Sequence, residues 1–433
     1  MNIVLAILAL SIMIIVHEFG HFIVAKANGV RVKEFSIGLG PRLCGIRTKE
    51  TDYCLKLLPF GGACVMQGDV DDETSDEKQD ETRSFENKSV WARISIIAAG
   101  PIFNFLLAFV FAVIIIGRLG YSPAKVYSVE EDSIAYEAGI REGDVITKIN
   151  GRTISFDTEY STYRLVYPEK TMNITYVRDG KKYKTTLVPN KVTKTAYRVG
   201  ITIQGEPVTI AEVSDGPAKD AGIKVNDVIK KINGKEVKNT SDVGTFMSEK
   251  EGAECTFTLL RDGNTVEVKV TPILTEYEEV ETGMVVYSQY VKGNAWTTLK
   301  YSASQVRYSI ATVFDSFHML FAGQVTSKDI AGPVGIVNVI SNTVESSKED
   351  GTLYVILNLL YLIVLLSANL GVMNLLPIPA LDGGRLVFLL IEAVRGKPIA
   401  REKEGMVHFV GMALLMVLMV IIMFNDIRNV FFS

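Results

Sequence analysis

His17, Glu18 and His21 stand in the run His17-Glu18-Phe19-Gly20-His21, an HExxH pattern. Four residues apart on a helix, two histidines lie on one face about 6 Å from each other, close enough for both imidazoles to grip a single zinc ion. Glu18 follows the first histidine, where a carboxylate can take a proton from a metal-activated water. The whole run falls inside the apolar stretch 3–25. Ionisable side chains at that depth are expensive to insert and are kept for function. Two histidines still leave the site one ligand short, since a catalytic zinc has three protein ligands and one open position.

The elements that must position these residues are membrane-length. Of 433 residues 48% are hydrophobic, and four stretches read as spans: 3–25, 94–117, 354–376 and 406–424. The first has neither a basic leader nor a small-residue cleavage site after its apolar run, so it reads as a retained span and not as a signal peptide. Lys26, Arg31 and Lys33 follow the first span, Lys88 and Arg93 precede the second, and Arg395, Lys397, Arg401 and Lys403 precede the fourth. The positive-inside rule then expects 26–93 and 377–405 in the cytoplasm, with both termini and 118–353 outside. The HExxH run comes at the cytoplasmic end of its helix.

A net charge of −4 offers no basic patch for nucleic acid. The acidic run 69–81 reads as a solvated cytoplasmic loop. Cys44, Cys54, Cys64 and Cys255 have no CxxC spacing and imply neither a disulfide framework nor a metal site.

Between the second and third spans the chain repeats itself. Residues 135–151, AYEAGIREGDVITKING, match 218–234, AKDAGIKVNDVIKKING, at 11 of 17 positions with an offset of 83, and Arg178-Asp179-Gly180 falls onto Arg261-Asp262-Gly263 at the same offset. Each copy reads as a short helix ending at glycine, a strand closing in Asn-Gly, and a strand pair turning at Asp-Gly. The AGIxxxDVIxxING pattern resembles PDZ domains of bacterial proteases, which take extended peptides by adding a strand to a sheet edge. Gly200-Ile201 can open a carboxylate-binding strand in the second copy.

The third ligand is best sought in Asn374-Leu-Leu-Pro-Ile-Pro-Ala-Leu-Asp-Gly-Gly384. Asp382 there falls on the same side as the two histidines, after two prolines that interrupt the helix, and unwound backbone at membrane depth survives only around a cavity. Its bland reading is a helix N-cap. His318 falls on the wrong side, in an amphipathic external stretch 296–321 expected to lie along the membrane; His408, near the cytoplasmic end of the fourth span, stays possible as a ligand.

With HEFGH in the first span, NLLPIPALDGG after the third and PDZ-like repeats between, the chain resembles the site-2 protease family, peptidase M50, in its bacterial RIP zinc metalloprotease branch. Gly38-Leu-Gly-Pro41, Leu58-Pro-Phe-Gly-Gly62, Gly100-Pro-Ile-Phe-Asn104 and Ala331-Gly-Pro-Val-Gly-Ile336 carry the likeness along the rest of the chain. The resemblance implies Zn2+ held by His17, His21 and Asp382, Glu18 as catalytic base, and Asn374 donating to the substrate carbonyl, with Asn369 a second candidate. It implies a segment that loops back into the membrane, where Gly38, Gly40, Gly61 and Gly62 allow close approach and 52–62 offers a strand edge to an unwound substrate. It further implies cleavage of single-span membrane proteins, anti-sigma factors or signal-peptide remnants, after an earlier extracytoplasmic cut, with the PDZ domains as a size sieve.

The expected fold is therefore a polytopic α-helical membrane protein of the bacterial inner membrane, with four transmembrane helices, a re-entrant β segment at about 35–66 and two extracytoplasmic β-rich PDZ domains. The expected boundaries are 1–121 and 354–433 for the two parts of the catalytic core, with LDG at 381–383, 122–198 and 199–274 for the PDZ domains, and 275–353 for an amphipathic connector. Expected partners are single-span substrates and peptide or carboxyl-terminal ligands. The alternative function is a membrane-anchored PDZ adaptor without turnover; a transporter is disfavoured because paired inverted repeats are missing from the sequence.

Overall fold

All four apolar stretches are helices in the computed structural model, which describes every residue except 1, 70–80, 206, 250, 262, 326–330, 349, 350, 432 and 433. The acidic run 69–81 thus lies almost wholly outside the described residues. In chain order the elements are α1 (Asn2–Ala27), β1 (Val32–Arg47), β2 (Asp52–Met66), α2 (Val90–Leu119), β3 (Val126–Val129), α3 (Ile134–Glu137), β4 (Val145–Ile149), β5 (Arg152–Thr153), α4 (Asp157–Val166), β6 (Met172–Arg178), β7 (Lys181–Leu187), β8 (Asn190–Arg198), β9 (Ile201–Gln204), β10 (Thr209–Val213), α5 (Pro217–Asp220), β11 (Val228–Ile232), β12 (Lys235–Glu236), α6 (Thr240–Ser248), β13 (Cys255–Arg261), β14 (Asn264–Val270), β15 (Ile273–Glu281), β16 (Met284–Val286), α7 (Ala295–Phe321), α8 (Pro333–Ser347), α9 (Thr352–Leu375), α10 (Asp382–Arg395) and α11 (Arg401–Phe431). They form two compact units, one from 1–122 with 289–432 and one from 123–288.

In the helical unit, α1, α2, α9 and α11 are long and apolar enough to cross a membrane. Helix α2 starts where the Ser89 side chain accepts the Ala92 N–H and stops at Gly120, whose φ of +93° ends the helical backbone. It packs between α1 and α9. The α2–α9 contact buries Ala108, Ala112 and Ala368 beside Leu357 and Val364, small residues that let two backbones approach where apolar burial alone gives no preference over lipid. Stretch 296–321 is helical, as part of α7, but it is not merely a connector. Val306 joins the α2–α9 cluster, and Tyr301 stacks on Tyr121 with 3.6 Å between ring centroids. An amphipathic pattern says that one face is apolar; it does not say whether lipid or helix covers it.

The register of β1 and β2 resolves each into two short strands. Residues 42–47 run against 52–56; residues 34–37 lie between 52–55, with numbers rising together, and 62–65, with numbers opposed. Stretch 52–55 is therefore paired on both sides. Among the described residues, the strand paired on one side only and lining a cavity with the histidines is 62–66, not the expected 52–62, because hydrophobic alternation does not encode which neighbour a strand takes.

In the second unit the repeat is physical as well as textual. Asp144 and Asp227 are fully buried, and each takes a forked pair of bonds from an arginine of the Arg-Asp-Gly turn at 2.7–2.8 Å. The same guanidinium also donates to a glycine carbonyl, Gly139 or Gly222. Asn150 and Asn233 take positive φ in their Asn-Gly turns, as such turns require.

The two copies are not consecutive, however. In the second copy β9 pairs with β10; in the first, the equivalent of β10 is β3, and its partner is β16. Met284 and Val286 are buried in the core of the first copy with Val126, Ile146 and Ile174. The boundaries 122–198 and 199–274 thus leave out a strand that the first copy needs. The second copy is inserted between β8 and β15, which pair over their full length. Local sequence cannot show this, because the completing strand arrives roughly 150 residues after its partner.

Burial pushes the Asp227 carboxyl up, but the Arg261 fork and the Lys224 N–H outweigh it and hold the group below its usual range. A depressed carboxylate stabilises the fold above its unfolded pKa of about 4 and loses that contribution as the pH falls below it. Arg261→Leu strands a buried charge and should destabilise the second copy by about 3–5 kcal/mol near neutral pH, less so below about pH 4. Hydrogen exchange over 199–272 in the full chain reads this; parent-like protection at pH 7 would show that the pair is not structural.

Candidate metal and catalytic site

Helix α1 brings His17 and His21 together as the i, i+4 spacing requires. Their rings are buried, nearly perpendicular at 84°, with Nε2 atoms 3.3 Å apart. Asp382, the first residue of α10, places Oδ2 3.1 Å from His17 Nε2 and 3.3 Å from His21 Nε2. A tetrahedral ion with bonds of about 2.0–2.1 Å separates its ligands by about 3.3 Å, so the three atoms are spaced as zinc ligands are. The only group of three or more metal-ligating residues among those described is this one.

Proton placement makes the fit chemical as well as geometric. His21 Nδ1 lies 2.9 Å from the Ile96 carbonyl, whose oxygen accepts a hydrogen bond from Nδ1–H and leaves Nε2 with its lone pair. His17 Nδ1 lies 3.1 Å from the Asn104 side-chain amide, while Asn104 Oδ1 is buried without a partner. With that amide turned over, Oδ1 accepts a hydrogen bond from His17 Nδ1–H and leaves Nε2 with its lone pair. Asp382 Oδ2 is likewise buried without a hydrogen-bond partner. Three facing lone pairs repel one another; a divalent cation between them removes the conflict.

These atoms open on a cavity of about 470 Å³. One wall is Glu18 with the two histidines and Asp382, another is the open strand 62–66, and a third is the first turns of α11 from Gly405 to Met412. The sequence profile of peptidase family M50 matches residues 5–418.

The chain belongs to peptidase family M50.

Zinc metalloprotease RasP of Bacillus licheniformis is 31% identical over the full length of both chains. The regulator of sigma-W protease RasP of Bacillus subtilis is 31% identical and covers 98% of each chain. RasP of Geobacillus kaustophilus is 30% identical over 99% of this chain and 98% of its own. Among solved structures, the HtrA3 PDZ domain aligns with 20% of this chain and 92% of its own at 18% identity and a TM-score of 0.17. This M50 peptidase is a zinc metalloprotease and a membrane protein.

Glycine is what lets the elements of the M50 site close on one another. A Cβ on Gly100 of α2 would stand 2.3 Å from His21 Nε2 and 2.8 Å from His17 Cε1, and one on Gly20 would stand 2.5 Å from the Ala99 carbonyl oxygen. A Cβ on Gly62 would meet Glu18 Cγ at 2.9 Å, and one on Gly383 the Leu376 carbonyl at 2.0 Å. Of the other residues expected near the substrate, Gly38, Gly40, Gly61, Asn369 and Asn374 do not line the cavity. Asn374 sits half-buried at the end of α9, and Asn369 Oδ1 is buried without a partner. His318 lies on α7, away from the cavity, whereas His408 lines it.

Three groups escaped the sequence reading. Asn104 stood in a quoted motif, Gly-Pro-Ile-Phe-Asn, without a role. Arg385, one turn beyond Asp382, lines the cavity and pairs with the buried Asp69. The Ile96 carbonyl has no sequence signal at all.

Asn104→Leu removes the acceptor that sets the His17 tautomer and should weaken zinc binding about 10–100-fold. Chelator competition on the purified chain measures it; unchanged affinity would mean that Asn104 only packs.

Proposed function

We propose that this M50 peptidase cleaves single-span membrane proteins within the membrane, with zinc held by His17, His21 and Asp382. The observation that carries this reading is the convergence of those three donors and Glu18 on one cavity among membrane-length helices. Zinc, when bound, supplies a Lewis acid and a water acidic enough to attack a peptide carbonyl near neutral pH. Glu18 takes the proton from that water and passes it to the leaving amine.

A transmembrane substrate must unwind before any carbonyl is open to attack, and its freed backbone groups then need partners. Strand 62–66, with Gly62 beside Glu18, offers them by edge pairing. Gly61, Gly38 and Gly40 serve the bends of that sheet, each with positive φ. Asn374 and Asn369, both on α9, are the candidates for steadying the substrate carbonyl, although neither lines the cavity.

The lysine and arginine distribution supports a cytoplasmic position for the site, with both termini and the PDZ-like unit outside the cytoplasmic membrane. There the two copies sort substrates by the size of their external domain and bind peptide or carboxyl-terminal ligands, so that an earlier cut outside precedes the one within. The relative named regulator of sigma-W protease supports anti-sigma-factor-like substrates, with signal-peptide remnants as a second class.

Purified chain in nanodiscs with a single-span substrate lacking an external domain tests the reading. Glu18→Gln should retain about one zinc and lower cleavage at least about 100-fold; Asp382→Ala should lose the zinc. Parent-like cleavage by Glu18→Gln, or full zinc in Asp382→Ala, would falsify the corresponding role.

A further inference from the structure

Helix α11 exposes most of its length and is tied to the rest of its unit at two places. Toward its end, the Asp426 carboxylate accepts the N–H groups of Gly332 and Gly335 at 2.9 and 2.8 Å, capping α8 from another helix. Near its start, Gly411 lies so close to Pro379 that a Cβ there would stand 2.3 Å from the proline Cβ, and His408 Nδ1 accepts the Ala380 N–H at 2.9 Å. Ala380 has a φ of +75°. That left-handed backbone normally calls for glycine or asparagine, and an alanine holds it only where its surroundings insist. Two residues later the chain presents the Asp382 carboxylate to the histidines. Between them Leu381 is extended, while Gly383 and Gly384 are pressed onto the carbonyls of Leu376 and Ile378. Ala380 is therefore where the direction of the connection from α9 to α10 is decided.

We propose that His408 is a positioning residue for Asp382: its Nδ1 pins the Ala380 N–H, holds the left-handed turn, and so keeps the Asp382 carboxylate at the metal position. The proposal rests on Asp382 being the third zinc ligand. It also makes the seating of α11 a determinant of the metal site, although α11 itself contributes no ligand. The competing account is that the imidazole only fills space against Phe388, whose ring centroid lies 5.5 Å away.

The test measures zinc affinity by chelator competition, together with the absorption of the cobalt-substituted full chain. His408→Leu keeps apolar bulk and removes the acceptor; it should weaken metal binding about 10–100-fold, as loss of outer-sphere support does, and shift the cobalt bands. His408→Asn places Oδ1 where Nδ1 was and should restore parent affinity. Adding Ala380→Gly to His408→Leu should recover most of the loss, since glycine needs no help at positive φ. Asp382→Ala should lose the metal whether or not Ala380 is glycine. Parent affinity in His408→Leu with metal lost in Asp382→Ala overturns the positioning role and leaves the ligand reading standing. Retained metal in Asp382→Ala overturns both. A loss in His408→Leu that neither His408→Asn nor Ala380→Gly repairs assigns His408 to packing and overturns the proposal. If His408→Leu does not fold, His408→Asn against His408→Gln decides the matter, because Gln sets its acceptor at the Nε2 position; equal affinities overturn the proposal.

Discussion

Three lone pairs facing one another at 3.1–3.3 Å are the constraint around which the helical unit is arranged. A metal cation between the three atoms relieves their repulsion when the Nδ1 protons point away from it. The Ile96 carbonyl and the Asn104 amide see to the protons by holding the Nδ1 side of each imidazole. Both come from α2, so α2 must lie directly against the histidine face of α1. Gly100 and Gly20 make that contact possible, since any side chain at either place would collide with an imidazole or a carbonyl. The Pro-Ile-Pro-Ala-Leu-Asp-Gly-Gly connection then delivers the third donor, with two glycines again pressed onto backbone.

The same economy of space shapes the other wall of the cavity. Gly62 brings strand 62–66 against the Glu18 side chain; among the described residues that strand pairs on one side only, with β1, and it lines the cavity. The cavity is walled on one side by α11, a helix otherwise exposed along most of its length.

In the second unit, stability comes from an unusual form of repetition. Each copy carries a buried aspartate forked to an arginine 34 residues later, and that pair locks the Asp-Val-Ile strand to the Arg-Asp-Gly turn. The second copy is a contiguous chain. The first is finished only by β16, whose Met284 and Val286 fill a core begun at Val126. The paired strands β8 and β15 are the stem through which one copy is inserted into the other.

Whatever depends on spacing along one element was legible in the sequence. The histidine pair on a helix, the four membrane-length stretches and the repeat with its Asn-Gly turns follow from periodicities of 3.6, about 20 and 83 residues; the candidacy of Asp382 followed from its side of the membrane and the two prolines before it, and family likeness implied the same ligand set. What depends on which element lies beside which was not legible, because hydrophobic pattern specifies that a face is covered and not by what. Only the tertiary structure decided that α7 packs on α2 and α9, that 62–66 and not 52–62 keeps an open edge, that β16 completes the first repeat, and that His408 grips the Ala380 backbone. The sequence by itself determined the chemistry of this protein, since donor atoms are a matter of residue type. The fold decided where those atoms meet, since their approach to about 3 Å depends on glycines and carbonyls that carry no chemical signature of their own.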